Sequence, residues 1–265
     1  MQRIGLQRRL AAIFSLALAP VALAQGLQLK RRATRLPEAA GPRHGQSEGP
    51  GQPLRLLAVG ESPLAAVGLS EPSDTVARHL ADHIAHASGR PVRWRILARG
   101  GYTAEAVRRQ LVSQLDDWPA DLILIGLGVN DSLRLRSVSR WQHDLRMLIS
   151  DLHERTGPAP VLLAGVPDMY HFPLLPFALR LLLGSRSRLL DFAAGQLAAQ
   201  QSDTRYVSMQ LDARSHELFC EDGFHPNAQG HALWAEQLAP AALELLGNLE
   251  PRPNPMGDRG DFAQP

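Results

Sequence analysis

The run Leu54-Arg-Leu-Leu-Ala-Val-Gly-Glu-Ser-Pro-Leu-Ala-Ala-Val-Gly-Leu69 decides how the rest of the chain reads. Leu54 to Val59 is mostly apolar and β-prone, and Gly60 interrupts it. A short apolar run closed by glycine reads as a buried strand of a parallel sheet. Ligands of open α/β sheets sit just beyond the carboxyl ends of such strands. Ser62 falls at that point, where a catalytic serine is expected.

Pro63 sharpens the requirement. In a nucleophile elbow, the residue after the serine lends its backbone N–H to the oxyanion hole, and proline has none. If Ser62 attacks a substrate, its oxyanion donors are its own N–H and groups on other loops. Taken alone, Ser62-Pro63 reads more simply as a turn leading into a helix.

Working outward, Ser73 to Ala87 has helical character, with Val76, Leu80 and Ile84 on one face and Gly89-Arg90-Pro91 as its stop. Val92 to Ala98 alternates as a strand and runs into Arg99-Gly-Gly-Tyr-Thr103. A helix is expected from about Ala104 to Leu115, then a buried strand over Asp121 to Ile125 that leads into Gly126-Leu-Gly-Val-Asn-Asp131. An amphipathic helix over Val138 to Arg155, strands at Val161 to Ala164 and Tyr206 to Met209, and a final helix over Ala228 to Leu246 complete the pattern. This alternation predicts a three-layer α/β/α domain with a parallel five-stranded sheet. Right-handed crossovers gather the loops after the strands along one edge.

A chain of 265 residues with 45% hydrophobic content supports one sizeable core. Its single cysteine, Cys220, excludes an internal disulfide framework and a cysteine-based zinc site. Residues 1–53 carry a net charge of +6, so the remainder carries −4 of the overall +2. The basic character belongs to the N-terminal arm, which argues against a nucleic-acid-binding face on the domain.

That arm begins with Arg3, Arg8 and Arg9, continues uncharged from Leu10 to Leu29, and includes Ala22-Leu-Ala24. It has the form of a signal peptide, and the run is also long enough to serve as a membrane anchor. Lys30, Arg31, Arg32 and Arg35 follow at once. Residues 1–29 are therefore read as a signal or anchor that associates the protein with the membrane or envelope, the side left open. Residues 30–53 read as a basic, Pro/Gly-rich linker, 54–249 as the folded domain, and 250–265 as a disordered tail.

Three strand-end loops supply what Ser62 needs. In Asp222-Gly-Phe-His225-Pro226, the aspartate three residues before the histidine can hold the far ring nitrogen, fix the tautomer and stabilise the imidazolium. The same stretch also reads as a polar helix entry. In Gly128-Val-Asn130-Asp131, the Asn130 amide can donate to an oxyanion, or form an ordinary Asn-Asp turn. Gly101 allows close backbone approach and leaves its N–H free to donate, though a turn glycine would look the same.

With these residues in hand, the chain from roughly Leu54 to Leu246 resembles an SGNH/GDSL-type hydrolase. The first block matches at Gly60-Glu61-Ser62, the second at Gly101-Tyr102-Thr103, the third at Gly128-Val129-Asn130-Asp131 and the last at Asp222 to Pro226. The resemblance implies a flavodoxin-like fold and a Ser62-His225-Asp222 triad. It also implies an oxyanion hole from Ser62 N–H, Gly101 N–H and the Asn130 amide, which asks nothing of Pro63. The implied activity is hydrolysis of acyl esters through an acyl-enzyme, with no metal or organic cofactor. The alternatives are an acyltransferase or carbohydrate O-deacetylase on the same triad, or a non-catalytic binding module. Partners are then small-molecule, lipid or carbohydrate esters. The family usually has Asp before the serine where this chain has Glu61; the extra methylene is expected to shift the loop that carries Ser62.

Two further features stand out. Gly165 to Leu183 is unusually apolar after a strand end; it reads as ordinary helix packing from about Pro176, or as an acyl-binding wall. His79, His83 and His86 share a helical face, more simply a surface than a metal site.

Overall fold

The computed structural model describes residues 20–32, 34–209 and 215–247. Residues 1–19 and the tail 250–265 lie outside them. The described part is a three-layer α/β/α sandwich. Its elements are α1 (20–32), β1 (His44–Ser47), β2 (Leu54–Gly60), α2 (Val76–Ser88), β3 (Val92–Ala98), α3 (Ala104–Gln110), β4 (Leu122–Gly126) and α4 (Val129–Leu133). They continue with α5 (Val138–Thr156), β5 (Val161–Ala164), α6 (Phe177–Ala198), β6 (Thr204–Val207) and α7 (Ala228–Gly247).

The strand order is β1-β3-β2-β4-β5-β6, with β1 antiparallel and every other pairing parallel. Gly60 lies level with both Ala98 and Gly126, so the loops after β2, β3 and β4 leave the sheet side by side. Along β2, Leu56 and Ala58 enter one core with α2 and α7, while Leu57 and Val59 enter the other with α3 and α5. That two-sided burial explains why β2 and β4 read as continuous apolar runs.

The sheet has six strands, one more than the five expected, and the extra strand corrects the linker reading of residues 30–53. Within that stretch, β1 pairs with β3, the Glu38 carboxylate accepts from Gly100 N–H at 2.8 Å and binds Arg43, and Ala39 N–H donates to Ala66 O. Its glycine content serves packing. A Cβ on Gly45 would stand 2.6 Å from the Trp94 ring. Several bounds also move. α3 closes early and tightens into a 3-10 turn at Val112–Gln114, a common way to finish a helix. β6 starts at Thr204, opposite Val161, two residues before the expected start.

α1 overlaps the end of the segment read as signal or anchor and runs three residues past it. Ala22 is buried, Gln25 Oε1 accepts from Leu179 N–H at 3.3 Å, and Leu29 packs on a satellite cluster with Phe172 and Leu183. No helix among the described residues is long and apolar enough to cross a membrane.

Candidate active site

The site is built where β2, β3 and β4 end together. Gly60 is needed there, since a Cβ would come within 2.5 Å of Gly126 O. The chain then turns tightly, with Ala65 N–H donating to Glu61 O and Val67 N–H to Ser62 O. Ser62 is left nearly buried, at 6% exposure. Its Oγ and its backbone N–H have no hydrogen-bond partner among the described residues.

The loop after β3 runs beside it: a Cβ built on Gly100 would lie 3.9 Å from Ser62 Cβ. Gly101 has a left-handed φ of +79°, and its N–H likewise has no acceptor among the described residues. The loop after β4 brings in Asn130, within the short helix α4. Asn130 Nδ2 donates to Glu61 Oε2 and, at 3.2 Å, to Tyr102 O. Asp131, fully buried, accepts from Ala104 N–H at 3.1 Å and so ties α4 to the start of α3. Burial pushes its carboxyl up to about 6.

Glu61 is the residue whose part the sequence did not convey. Its buried carboxylate accepts from Val129 N–H at 2.8 Å, from Asn130 N–H at 2.9 Å and from the Asn130 amide. The extra methylene lets it span from β2 to the first turn of α4. Burial outweighs these donors and pushes the carboxyl up to about 8. The only available signal was its place next to Ser62.

Asp222 and His225 lie between β6 and α7. Asp222 Oδ2 meets His225 Nδ1 at 2.6 Å, and Oδ1 accepts from the N–H groups of Phe224 and His225 at 2.9 and 3.0 Å. An ionised aspartate only accepts, so Nδ1 carries the proton and Nε2 is left with its lone pair. His225 Nε2 has no partner among the described residues. Of the expected site residues, Ser62 and His225 line one cleft, while Gly101, Asn130 and Asp222 are not among its lining.

The cleft's apolar wall draws on the segment Gly165 to Leu183, whose apolar character the sequence left open between helix packing and an acyl-binding wall. Phe172, from the segment after β5, makes edge contacts with Phe219 and Phe224, at 5.3 and 5.1 Å between ring centres. Phe224 in turn stands edge-on to the His225 ring at 5.2 Å. Met209, Leu233 and Trp234 extend the lining. His79, His83 and His86 lie on α2, and among the described residues no three metal-ligating side chains converge.

Comparison with known proteins agrees with this architecture. Similar solved structures include the lipase Lip_vut3 from a goat rumen metagenome, at 18% identity and TM-score 0.56 over 72% of this chain and 98% of that one. The protein TesA is 23% identical, with TM-score 0.56, over 72% and 99%. A family 3 carbohydrate esterase from Talaromyces cellulolyticus is 14% identical, with TM-score 0.56, over 74% and 100%. No curated protein matches the chain. The model of the GDSL-like lipase/acylhydrolase family matches residues 58–233, which include four of the five expected strands in full together with Glu61, Ser62, Gly101, Asn130, Asp222 and His225. The chain therefore belongs to the GDSL-like lipase/acylhydrolase family and is an ester-hydrolysing enzyme.

Proposed function

We propose that the protein hydrolyses carboxylic esters through a Ser62-His225-Asp222 triad, with Ser62 N–H, Gly101 N–H and the Asn130 amide as the oxyanion hole. The observation that carries this reading is the 2.6 Å Asp222-His225 pair, which leaves Nε2 basic in the same cleft as Ser62. The unengaged N–H groups of Ser62 and Gly101 support the oxyanion assignment. His225 Nε2 takes the Ser62 proton as Oγ attacks the carbonyl, then returns it to the leaving alcohol. Water, deprotonated by the same nitrogen, cleaves the acyl-enzyme and releases the acid. Asn130 reaches the oxyanion by giving up its longer bond, the one to Tyr102 O. The Ser62-His225 bond closes when substrate orders the cleft, as such bonds commonly do.

Labelling with a fluorophosphonate tests the assignment. Wild type is expected to label, and Ser62→Ala and His225→Ala to lose the label together with ester hydrolysis. Equal labelling of all three proteins removes Ser62 as nucleophile. The N-terminal segment, with its basic start and uncharged run, supports association with the membrane or envelope. Recovery of the full chain only in the cytosolic fraction would count against that.

A further inference from the structure

Resting on Ser62 as the nucleophile, we infer that the cleft takes the aliphatic chain of a lipid-like ester and not the sugar of a carbohydrate acetate. The argument is an inventory of what the walls can offer. Phe172, Phe219, Phe224, Met209, Leu233 and Trp234 present carbon surface. Four lining side chains are strongly polar: Glu61, Ser62, His225 and Gln237. Glu61 is spent on Val129 and Asn130. Ser62 and His225 do the chemistry, and Gln237 already has a partner. Beyond the buried indole N–H of Trp234, which has no partner among the described residues, no side chain is left over for the several hydroxyls of a sugar ring. Burying a hydroxyl without a partner is unfavourable, whereas every methylene that enters such a wall gains.

The wall is also built from more than one stretch of chain. Its aromatic members come from separate loops that lock together: Phe172 follows β5, while Phe219 and Phe224 flank the Asp222 turn. Leu174 N–H donates to Gly223 O at 2.9 Å and joins these same loops through the backbone. The wall therefore stands in fixed register with His225, and a chain lying along it stays close to the reacting carbonyl.

The shared chemistry is an aliphatic chain, carried either by the acid or by the alcohol. Two series of substrates, given to the full-length protein, separate these sources: 4-nitrophenyl esters from acetate to octanoate, and acetates from ethyl to octyl. A peracetylated monosaccharide serves as the competing class. In one of the two series kcat/KM is expected to rise by about fourfold per methylene until the wall is filled. Phe172→Ala is expected to flatten that rise. Leu233→Gln, at a position 37% exposed and tolerant of a polar side chain, is expected to do the same if the buried variant fails to fold. Flat or falling profiles in both series overturn the inference, as does preference for the sugar acetate or a rise that both variants leave intact. Ser62→Ala separates the two levels of failure. If it is inactive while the profiles are flat, the lipid-like substrate alone is wrong; if it retains wild-type rates, the nucleophile assignment falls and takes this inference with it.

Discussion

Glu61 concentrates the physics of the site in one side chain. It gathers two backbone N–H groups and the Asn130 amide onto one carboxylate, and so aims Asn130 from below while touching no substrate. Glu61→Gln keeps the size but replaces one accepting oxygen with an NH2 group, which cannot accept from the N–H donors it faces. Loss of a whole oxyanion donor costs about 10²- to 10³-fold in rate, so mis-aiming one is expected to cost about 10- to 100-fold in kcat with KM little changed. Glu61→Asp keeps the carboxyl group but shortens the reach, and should fall between Gln and wild type. Steady-state kinetics on one soluble ester decide; a Glu61→Gln enzyme with wild-type kcat would show that Asn130 is held by other means. Asp222→Asn probes the opposite side of the cleft. It leaves the shape intact but disfavours the Nδ1–H tautomer, and about 10³-fold or more should be lost from kcat.

Secondary elements differ in how far their sequence betrays them, and the reason is how many faces they bury. β4, covered on both sides, shows as the bare apolar run Leu122 to Ile125. α5 shows its 3.6-residue period, with Trp141, Leu145, Leu148 and Leu152 all buried. β1 shows neither. It is four residues of His-Gly-Gln-Ser at the sheet edge, held by backbone pairing to β3 and by Gly45 under the Trp94 ring. Gly45→Ala forces a methyl group against that buried ring and is expected to destabilise the protein by about 1–3 kcal/mol, read as a lowered urea midpoint at unchanged slope. An unchanged midpoint would mean that β1 is a loose edge. The site follows the same division. Ser62, Gly101, Asn130, Asp222 and His225 could be named because each sits where an apolar run stops or a helix begins. Phe219 and Phe224 could not, and Phe172 lay in an apolar segment that read two ways; all three are on loops without a period and meet only through the fold.

Over the whole molecule, three buried titrations pull in opposite directions. His231, wholly buried between α7 and α2, accepts Val76 N–H on Nδ1 and faces His79 and His225. Burial holds its pKa near 3, below its ordinary 6.5. The unfolded chain then binds the extra proton, so stability is lost as pH falls from 6.5 toward 3. Glu61 runs the other way, from 4.5 up to about 8, and Asp131 from 3.8 up to about 6. For these acids the folded chain holds the proton, so stability is lost as pH rises through each window. Between pH 6.5 and 8 only the Glu61 window remains among these three, and each pH unit there removes up to about 1.4 kcal/mol. Maximum stability is therefore expected below pH 6.5. Thermal midpoints from pH 3 to 9 test this, with two variants to assign the limbs. Glu61→Gln should flatten the fall above pH 6.5, and His231→Asn the fall on the acid side. A wild-type midpoint that climbs from pH 6.5 to 8 would mean that the Glu61 carboxylate is ionised throughout, its three N–H donors outweighing its burial.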